Sequence, residues 1–246
     1  MRAYIAYALL LSVVLLIPLA GCGSSRDAVF AGDYHILKSG RAWTYDGTYW
    51  RKERTRATAE YTGTFSLARA CSDVTYAGRP ALRVETTVSE VTGDRPAMAE
   101  ELAGIDYYVL EPTGYYLQAH QTPGGSVEVF SPPRLWLPVP LRPGQTWTWV
   151  EEWFGSDATA TCTATGMEEE QVPLGTFDAV QVSAGAQASG GGNFLQYTWV
   201  RGIAPAIGIV RETRSSYETY ATGEQVWTDL SLELRSYSDT HTPPAP

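Results

Sequence analysis

The sequence predicts a mainly β protein of curved antiparallel sheets, half-barrel-like in form and built as two tandem degenerate repeats. Three observations support this fold class. Apolar and polar residues alternate at every second position, glycine- and proline-rich turns separate these runs, and one motif recurs at an offset of 104 residues. Helical periodicity is nearly absent, with one short helical turn expected within residues 97–103 (AMAEELA).

The alternation is clearest near the end of the chain. One face of residues 226–234 is formed by Val226, Thr228, Leu230, Leu232 and Leu234. Turn chemistry separates such runs at residues 78–80 (GRP), 112–114 (PTG), 123–125 (PGG) and 189–193 (SGGGN). Antiparallel strands joined by short turns are therefore expected.

The internal repeat pairs residues 37–45 (LKSGRAWTY) with residues 141–149 (LRPGQTWTW). The leucine, the glycine, the tryptophan and the threonine that follows it are identical, so we expect shared core roles for the aromatic positions Trp43, Tyr45, Trp147 and Trp149. The predicted organisation is a first β repeat over 34–136, a second over 137–238 and a disordered tail over 239–246.

The N-terminus carries an export signal. Residues 3–20 contain no charge and follow Arg2, which is typical of a signal peptide spanning 1–21. Leu19-Ala20-Gly21-Cys22 resembles the lipobox of bacterial lipoproteins, which implies that Cys22 is the lipid attachment site. An uncleaved membrane helix is the alternative, but Pro18 would weaken its end.

Residues 22–33, small and polar, are predicted to tether the domain to the membrane. The implied location is the cell envelope, lipid-anchored and facing outside the cytoplasm. Because residue 23 is glycine rather than aspartate, resemblance to lipoprotein sorting favours the outer membrane in an organism with two membranes.

Lipidation of Cys22 leaves Cys71 and Cys162. An even pair of cysteines in an oxidising compartment is a disulfide candidate. The alternative is two separate buried thiols, which pack as small apolar side chains.

The second half resembles a broad group of uncharacterised bacterial secreted and lipoprotein β domains. The resemblance lies in Gly144-x-x-Trp147, in residues 172–182 (VPLGTFDAVQV) and in residues 197–210 (YTWVRGIAPAIGIV). This chain departs from the group at Ala206-Ile207-Gly208, where the pattern has Gly-Val-Gly. The resemblance implies a curved antiparallel sheet akin to the half-barrels of lipoprotein carriers, and it transfers no site residues.

No catalytic or metal site is predicted, no cofactor is expected, and the chain is interpreted as a non-enzyme. The three histidines, His35, His120 and His241, do not stand at metal-ligand spacing, and no nucleophile-elbow motif occurs. Residues 168–170 (EEE) alternate faces on a strand, so they predict a solvated charge run rather than a calcium site. The formal net charge of −9 disfavours nucleic acid as a partner.

Aromatic content is high, with eight tryptophans and fifteen tyrosines. Trp50, Trp136 and Trp227 are the candidates for a ligand or partner surface, because they fall outside the pattern of the predicted core. The leading hypothesis is an anchored envelope lipoprotein whose β domain binds another envelope protein or serves structure. The alternatives are carriage of a lipophilic ligand in a half-barrel cavity and glycan binding through exposed tryptophans.

Overall fold

The structure, a computed structural model, describes residues 30–94, 97–153 and 155–240. The predicted signal peptide, Cys22 and the tail after residue 240 lie outside these residues. A search of the described ranges finds no helix with the length and apolar character needed to cross a membrane.

Within the described ranges, twelve strands and one short helix, α1 (Ala97–Glu100), make up the regular structure. The helix coincides with the helical turn predicted there. The strands are β1 (Arg41–Arg54), β2 (Thr58–Tyr76), β3 (Arg79–Ser89), β4 (Gly104–Glu111), β5 (Gly114–Gln121), β6 (Val127–Pro138), β7 (Thr146–Trp153), β8 (Ser156–Val172), β9 (Gly175–Gly190), β10 (Asn193–Ala204), β11 (Gly208–Thr219) and β12 (Gln225–Asp239).

All twelve strands belong to one antiparallel sheet with the order β6-β5-β4-β3-β2-β1-β12-β11-β10-β9-β8-β7. Strands that are consecutive in the chain pair with each other, except β6 and β7, which form the two edges of the sheet, and β1 pairs with the distant strand β12. The sheet curves until its edge strands β6 and β7 come into contact, so that it is nearly closed. The predicted fold class of curved antiparallel strands is confirmed.

The six strands β1–β6 and the six strands β7–β12 form the two halves of the sheet. The repeated motif lies at the start of β1 in the first half and of β7 in the second. The sequence also holds two weaker matches, between residues 78–84 and 175–182 and between residues 114–117 and 208–211. The first pair begins in the β2–β3 turn and at the first residue of β9, and the second pair begins at the first residues of β5 and β11. The sequence correspondences therefore fall at equivalent places in the strand order.

Alternation places one face of each strand inside the curve. Leu232 and Leu234 of β12 are fully buried and lie opposite Gly47 and Tyr45 of β1. Gly47 leaves room for an aromatic ring, since a Cβ atom there would stand 2.3 Å from the ring of Phe65. Burial of such side chains stabilises the fold by about 1.5–3 kcal/mol each.

The segment 30–40, which precedes β1, closes one end of the sheet. Its side chains Ile36 and Leu37 are buried in the core. The Tyr115 hydroxyl donates to the carbonyl oxygen of Leu37 at 3.1 Å, and the Arg41 guanidinium donates to that of Ile36 at 2.9 Å. These bonds hold the segment against the sheet. The end of the sheet that this segment covers is called the closed end below.

Residues 30–33, predicted as the last part of the tether, are attached to the domain. The amide of Phe30 donates to the carbonyl oxygen of Leu141 at 3.0 Å, and the amide of Ala206 donates to that of Asp33 at 2.6 Å. The chain therefore joins the folded domain at the closed end by residue 30.

The opposite end, called the mouth below, is partly covered by the connection between β3 and β4, whose described part includes α1. The Tyr49 hydroxyl donates to the carbonyl oxygen of Thr92 in this connection at 3.3 Å. Ala99 of α1 is fully buried, and Leu102 packs against the core.

Cys71 on β2 and Cys162 on β8 are free, buried thiols. Of the two predicted alternatives, the structure has two separate buried thiols, and the candidate disulfide is not formed. The strands that hold them are not paired, since β1, β12, β11, β10 and β9 lie between β2 and β8 in the sheet. Burial raises the pKa of each thiol to about 12, which keeps both protonated at neutral pH.

Replacing Gly63 with alanine is expected to lower the free energy of unfolding by about 1–3 kcal/mol through overpacking. The added Cβ would stand 2.3 Å from the Thr92 carbonyl oxygen and 2.4 Å from the Tyr49 ring. Urea unfolding followed by circular dichroism measures the loss. Gly166→Ala is the control, because no atom lies within 4 Å of its added Cβ. Equal stability of the two variants would contradict the close packing at Gly63.

Candidate functional site

The interior of the sheet contains a cavity of about 830 Å³, called the main cavity. Its volume lies in the range of small-molecule binding sites. The carbon-rich part of its wall is formed by Tyr49, Leu102, Tyr108, Leu117, Trp136, Trp149, Leu195, Tyr197, Trp199 and Leu230. These residues come from both halves of the sheet, so the cavity depends on the near-closure of the sheet.

The aromatic rings contact one another across the interior. Trp136 of β6 lies 5.1 Å from Tyr108 of β4, measured between ring centroids. Trp149 of β7 stacks on Trp199 of β10 at 6.4 Å. Arg201 extends from β10 with its guanidinium 4.1 Å from the Trp199 centroid and 5.8 Å from that of Trp136. The cation–π contacts tie the two halves together within the cavity.

A buried ionic cluster lies toward the closed end, with Glu212 of β11 at its centre and fully buried. Arg201 donates two hydrogen bonds to the Glu212 carboxylate, at 3.1 and 3.4 Å, and Arg214 donates a third. Arg69 of β2 places a guanidinium nitrogen 3.8 Å from the same carboxylate and covers the Tyr45 ring. Three positive charges thus surround one negative charge.

The Glu212 carboxylate remains ionised in this setting. Burial alone would raise its pKa, but Arg201, Arg214 and Arg69 outweigh that effect and hold the pKa well below its usual range. Arg69 is also charged, since its attraction to Glu212 outweighs its own burial and raises its pKa. We call Arg69, Arg201, Arg214 and Glu212 the arginine cluster.

A smaller cavity of about 90 Å³ adjoins the arginine cluster. It shares Asp106, Tyr108, Trp136, Arg201 and Arg214 with the wall of the main cavity, so the two spaces adjoin. The rest of its wall is formed by side chains of the segment 30–40 and of the strands near the closed end. These residues include Ile36, Leu37, Trp43, Tyr45, Arg69, Val84 and Ile209. The small cavity is therefore the inner end of the main cavity.

Asp106, which lines both cavities, is paired with a histidine on the neighbouring strand. His120 Nδ1 lies 2.8 Å from Asp106 Oδ1, and the Tyr108 hydroxyl lies 3.4 Å from the other carboxylate oxygen. The hydrogen bond that His120 donates to Asp106 raises the pKa of His120 more than burial lowers it. Glu128 adds to the rise, and Arg134 opposes it.

An ion pair crosses the seam where the two edge strands meet. Arg134 of β6 lies 3.4 Å from Glu151 of β7, and the Trp149 indole donates to the same carboxylate at 2.6 Å. The Tyr197 hydroxyl donates to the other carboxylate oxygen at 3.5 Å. Because β6 and β7 share no ladder of backbone hydrogen bonds, these side-chain contacts help to hold the seam together.

The three tryptophans predicted as a common surface are not brought together. Trp136 lies inside, in the walls of both cavities. Trp227 lies opposite Lys52 in the register, on the outer face, and contacts Tyr217 at 5.2 Å between ring centroids. Trp50 is opposite Asp229 on the same outer face. The outer face thus has a short aromatic row, and only Trp136 lines the interior.

The expected core role of the repeated aromatics holds for Trp43, Tyr45 and Trp147, which are buried, while Trp149 is partly exposed to the cavity. The arginine cluster was not predicted from the sequence. A signal was present in residues 197–201 (YTWVR), where Arg201 continues the inward positions of Tyr197 and Trp199. A charge at an inward position predicts a buried ion pair.

The described residues hold no group of three or more histidine, cysteine, aspartate or glutamate side chains arranged to bind a metal ion. The polar groups of the interior form ion pairs and hydrogen bonds, as in the arginine cluster and in the pairing of His120 with Asp106. Arginine guanidinium groups and aromatic rings are its main donors and contact surfaces.

The pairing of His120 with Asp106 predicts a pH dependence of stability. A group whose pKa is raised in the folded state contributes its full stabilisation below its unfolded pKa of about 6.5 and loses it as pH rises through the folded pKa. The free energy of unfolding of the native protein should therefore exceed that of His120→Gln by more at pH 5.5 than at pH 8.5. Urea titrations at both pH values measure this difference, and a constant difference would contradict the pairing.

Comparison with known proteins gives a likeness to solved structures alone. No protein-family model matches the chain, and no curated protein matches its sequence. A protein from Bacteroides fragilis, described as exported with a YmcC-like fold, is 11% identical, with 85% of this chain and 100% of that chain covered and a TM-score of 0.33. A protein from Parabacteroides distasonis, described as a lipoprotein, is 10% identical, with 85% of this chain and 100% of that chain covered and a TM-score of 0.36. Lipovitellin, in a structure concerned with its lipid–protein interactions, is 8% identical, with 85% of this chain and 26% of that chain covered and a TM-score of 0.42.

Proposed function

We propose that the protein is an envelope lipoprotein, anchored through Cys22, that binds an amphiphilic molecule in the main cavity. The observation that carries this proposal is a cavity of about 830 Å³ whose wall combines aromatic and leucine side chains from both halves of the sheet with polar and charged ones. Such walls favour the binding of an apolar chain, because burial of its surface is worth about 25 cal/mol per Å².

The cavity favours carriage of a lipophilic ligand over the leading hypothesis drawn from the sequence. A β domain that acts only in protein interaction or structure has no need of an interior cavity of about 830 Å³, because side chains that filled this space would add stability. Binding of an envelope protein and binding of glycans through the outer tryptophans Trp50 and Trp227 stay predictions.

The test of cavity binding uses a variant that fills the cavity. Ser216 of β11 lies in the wall of the main cavity, whereas Thr213 of the same strand is exposed and is not part of that wall. We expect Ser216→Trp to reduce binding of the fluorescent probe 1-N-phenylnaphthylamine at least tenfold. Thr213→Trp, the matched control, should bind the probe as the native chain does.

Native mass spectrometry of the purified chain provides a second measurement. A mass excess matching a lipid in the native protein, lost in Ser216→Trp, is expected. Absence of probe binding in the native chain, or equal binding by both tryptophan variants, would contradict the proposed function.

Lipid anchoring is tested separately. We expect the exported protein to partition into the detergent phase of Triton X-114, and its first residue to carry fatty acids in mass spectra. Cys22→Ser should move the protein to the aqueous phase. Partitioning of the native chain into water would refute the anchor without affecting the cavity.

A further inference from the structure

The innermost part of the binding space carries an excess of positive charge. Arg69, Arg201 and Arg214 face the single carboxylate of Glu212. Asp106, a carboxylate in the wall of the small cavity, lies 2.8 Å from His120 and also attracts Arg69, so that three guanidinium groups face two carboxylates there. The cluster thus holds more positive than negative charge in a chain whose formal net charge is −9.

Two of the three arginines are largely shielded from water. The side chains of Arg201 and Arg69 are 13% and 16% exposed and Glu212 is completely enclosed, whereas Arg214 is 40% exposed and lines the main cavity. Charge that is removed from water without an equal counter-charge is costly, and a bound anion offsets that cost. Guanidinium groups also present paired donors that match the oxygens of a carboxylate or phosphate.

The surroundings of the cluster show what else the ligand needs. The small cavity of about 90 Å³ beside the arginines has room for a compact group, and the main cavity that adjoins it is about nine times larger. Trp136 lines both spaces, and Arg201 lies against its ring. A compact anionic end and a longer apolar part would thus each contact a wall of matching chemistry.

We propose that the arginine cluster is the subsite for the anionic end of an amphiphile, with its apolar chain extending through the main cavity toward the mouth. The ligand class is a hydrocarbon chain that ends in a phosphate or carboxylate. This inference rests on the proposed function, because it assigns the orientation and head-group charge of a ligand bound in the same cavity.

The test compares dodecyl phosphate, dodecanoate and 1-dodecanol by isothermal titration calorimetry. The mature chain carrying Cys22→Ser is used, since it requires no detergent. We expect both anionic probes to bind at least tenfold more tightly than dodecanol. Inorganic phosphate, which has the charge but no chain, should compete only weakly with dodecyl phosphate.

Arginine variants test where the anionic head group binds. Arg214→Gln and Arg69→Gln should each weaken binding of dodecyl phosphate at least tenfold and change that of dodecanol less than twofold, whereas Arg214→Lys should keep most of the affinity. Arg235→Gln is the matched control, because Arg235 is 56% exposed and pairs with Asp46 away from both cavities. Thermal unfolding of each variant shows whether it is folded.

The outcomes separate the two proposals. Equal binding of dodecyl phosphate and dodecanol, unaffected by Arg214→Gln, overturns the anionic subsite and leaves the proposed function standing. Failure of all three amphiphiles to bind overturns the proposed function and the subsite with it. Competition by inorganic phosphate as strong as that by dodecyl phosphate overturns the amphiphile class in favour of a free anion.

Discussion

Replacing Glu212 with alanine is expected to lower the free energy of unfolding by about 3–5 kcal/mol, as found when one partner of a buried ion pair is removed. Glu212 is fully buried, and Arg201, Arg214 and Arg69 all lie around its carboxylate. Without that carboxylate, the largely buried guanidinium groups of Arg201 and Arg69 lose their counter-charge, and the half-exposed Arg214 adds to the repulsion between them. Urea unfolding followed by tryptophan fluorescence measures the loss.

Glu233→Ala is the matched control for this prediction. Glu233 pairs with Arg211 at 2.8 Å, but its side chain is 40% exposed, so water replaces the lost partner. The control should lose at most about 1 kcal/mol. A loss below about 1 kcal/mol in Glu212→Ala would show that the arginines do not depend on this carboxylate.

The same variant also tests the ionisation of the cluster. Since the pKa of Glu212 is lowered in the folded state, its contribution to stability is present above the unfolded carboxylate pKa, about 4.3, and is lost as pH falls toward the folded pKa. The difference in unfolding free energy between the native chain and Glu212→Ala should therefore be constant above pH 6 and shrink below pH 4.

Truncating Leu234 to alanine is the second change with a large expected effect, a loss of about 2–5 kcal/mol in the free energy of unfolding. Leu234 is completely buried and lies opposite Tyr45, where β12 pairs with β1. The lost methyl groups leave a cavity at the junction between the two halves, so the whole sheet should be destabilised in one transition.

Leu110→Ala supplies the comparison for this truncation. Leu110 lies in strand β4 but is 46% exposed, so its removal should cost less than about 1 kcal/mol. Differential scanning calorimetry of the two variants gives the two values side by side. Separate melting transitions for the two halves in Leu234→Ala would argue against a single cooperative sheet.

Much of the fold was predictable from residues that are close in the chain. The alternation that ends in Leu232 and Leu234 identifies β12, and glycine-containing turns such as Pro123-Gly124-Gly125 separate neighbouring strands. Each of these signals depends on local chemistry alone, that is, on which side chains face the core and which backbone angles a turn needs.

The closure of the sheet could not be predicted in this way. Pairing of β1 with β12 joins residues about 200 positions apart, such as Arg41 and Asp239, and no local pattern encodes it. The attachment of residues 30–33 to the closed end also depends on distant partners, among them Leu141. Composition had indicated only a small polar tether.

The burial of charged side chains inside the sheet was the second feature that could not be predicted from the sequence. Residues 168–170 were predicted to be solvated, yet Glu170 is buried, because Gln181 donates to its carboxylate at 2.7 Å and Arg211 lies 3.3 Å away. This prediction was wrong for Glu170, as a carboxylate can be buried once its partners converge on it from other strands. The partners of Glu212 come from three strands for the same reason.

The closed end also determines which way the binding space points. With a lipid on Cys22, as proposed, eight residues separate the bilayer from Phe30, a reach of roughly 28 Å at about 3.5 Å per residue. The longest strand, β2, has nineteen residues and spans roughly 60 Å. With such an anchor, the entrance would be directed away from the leaflet that holds the lipid, and any cargo would be exchanged with a donor or acceptor arriving from the far side of the compartment.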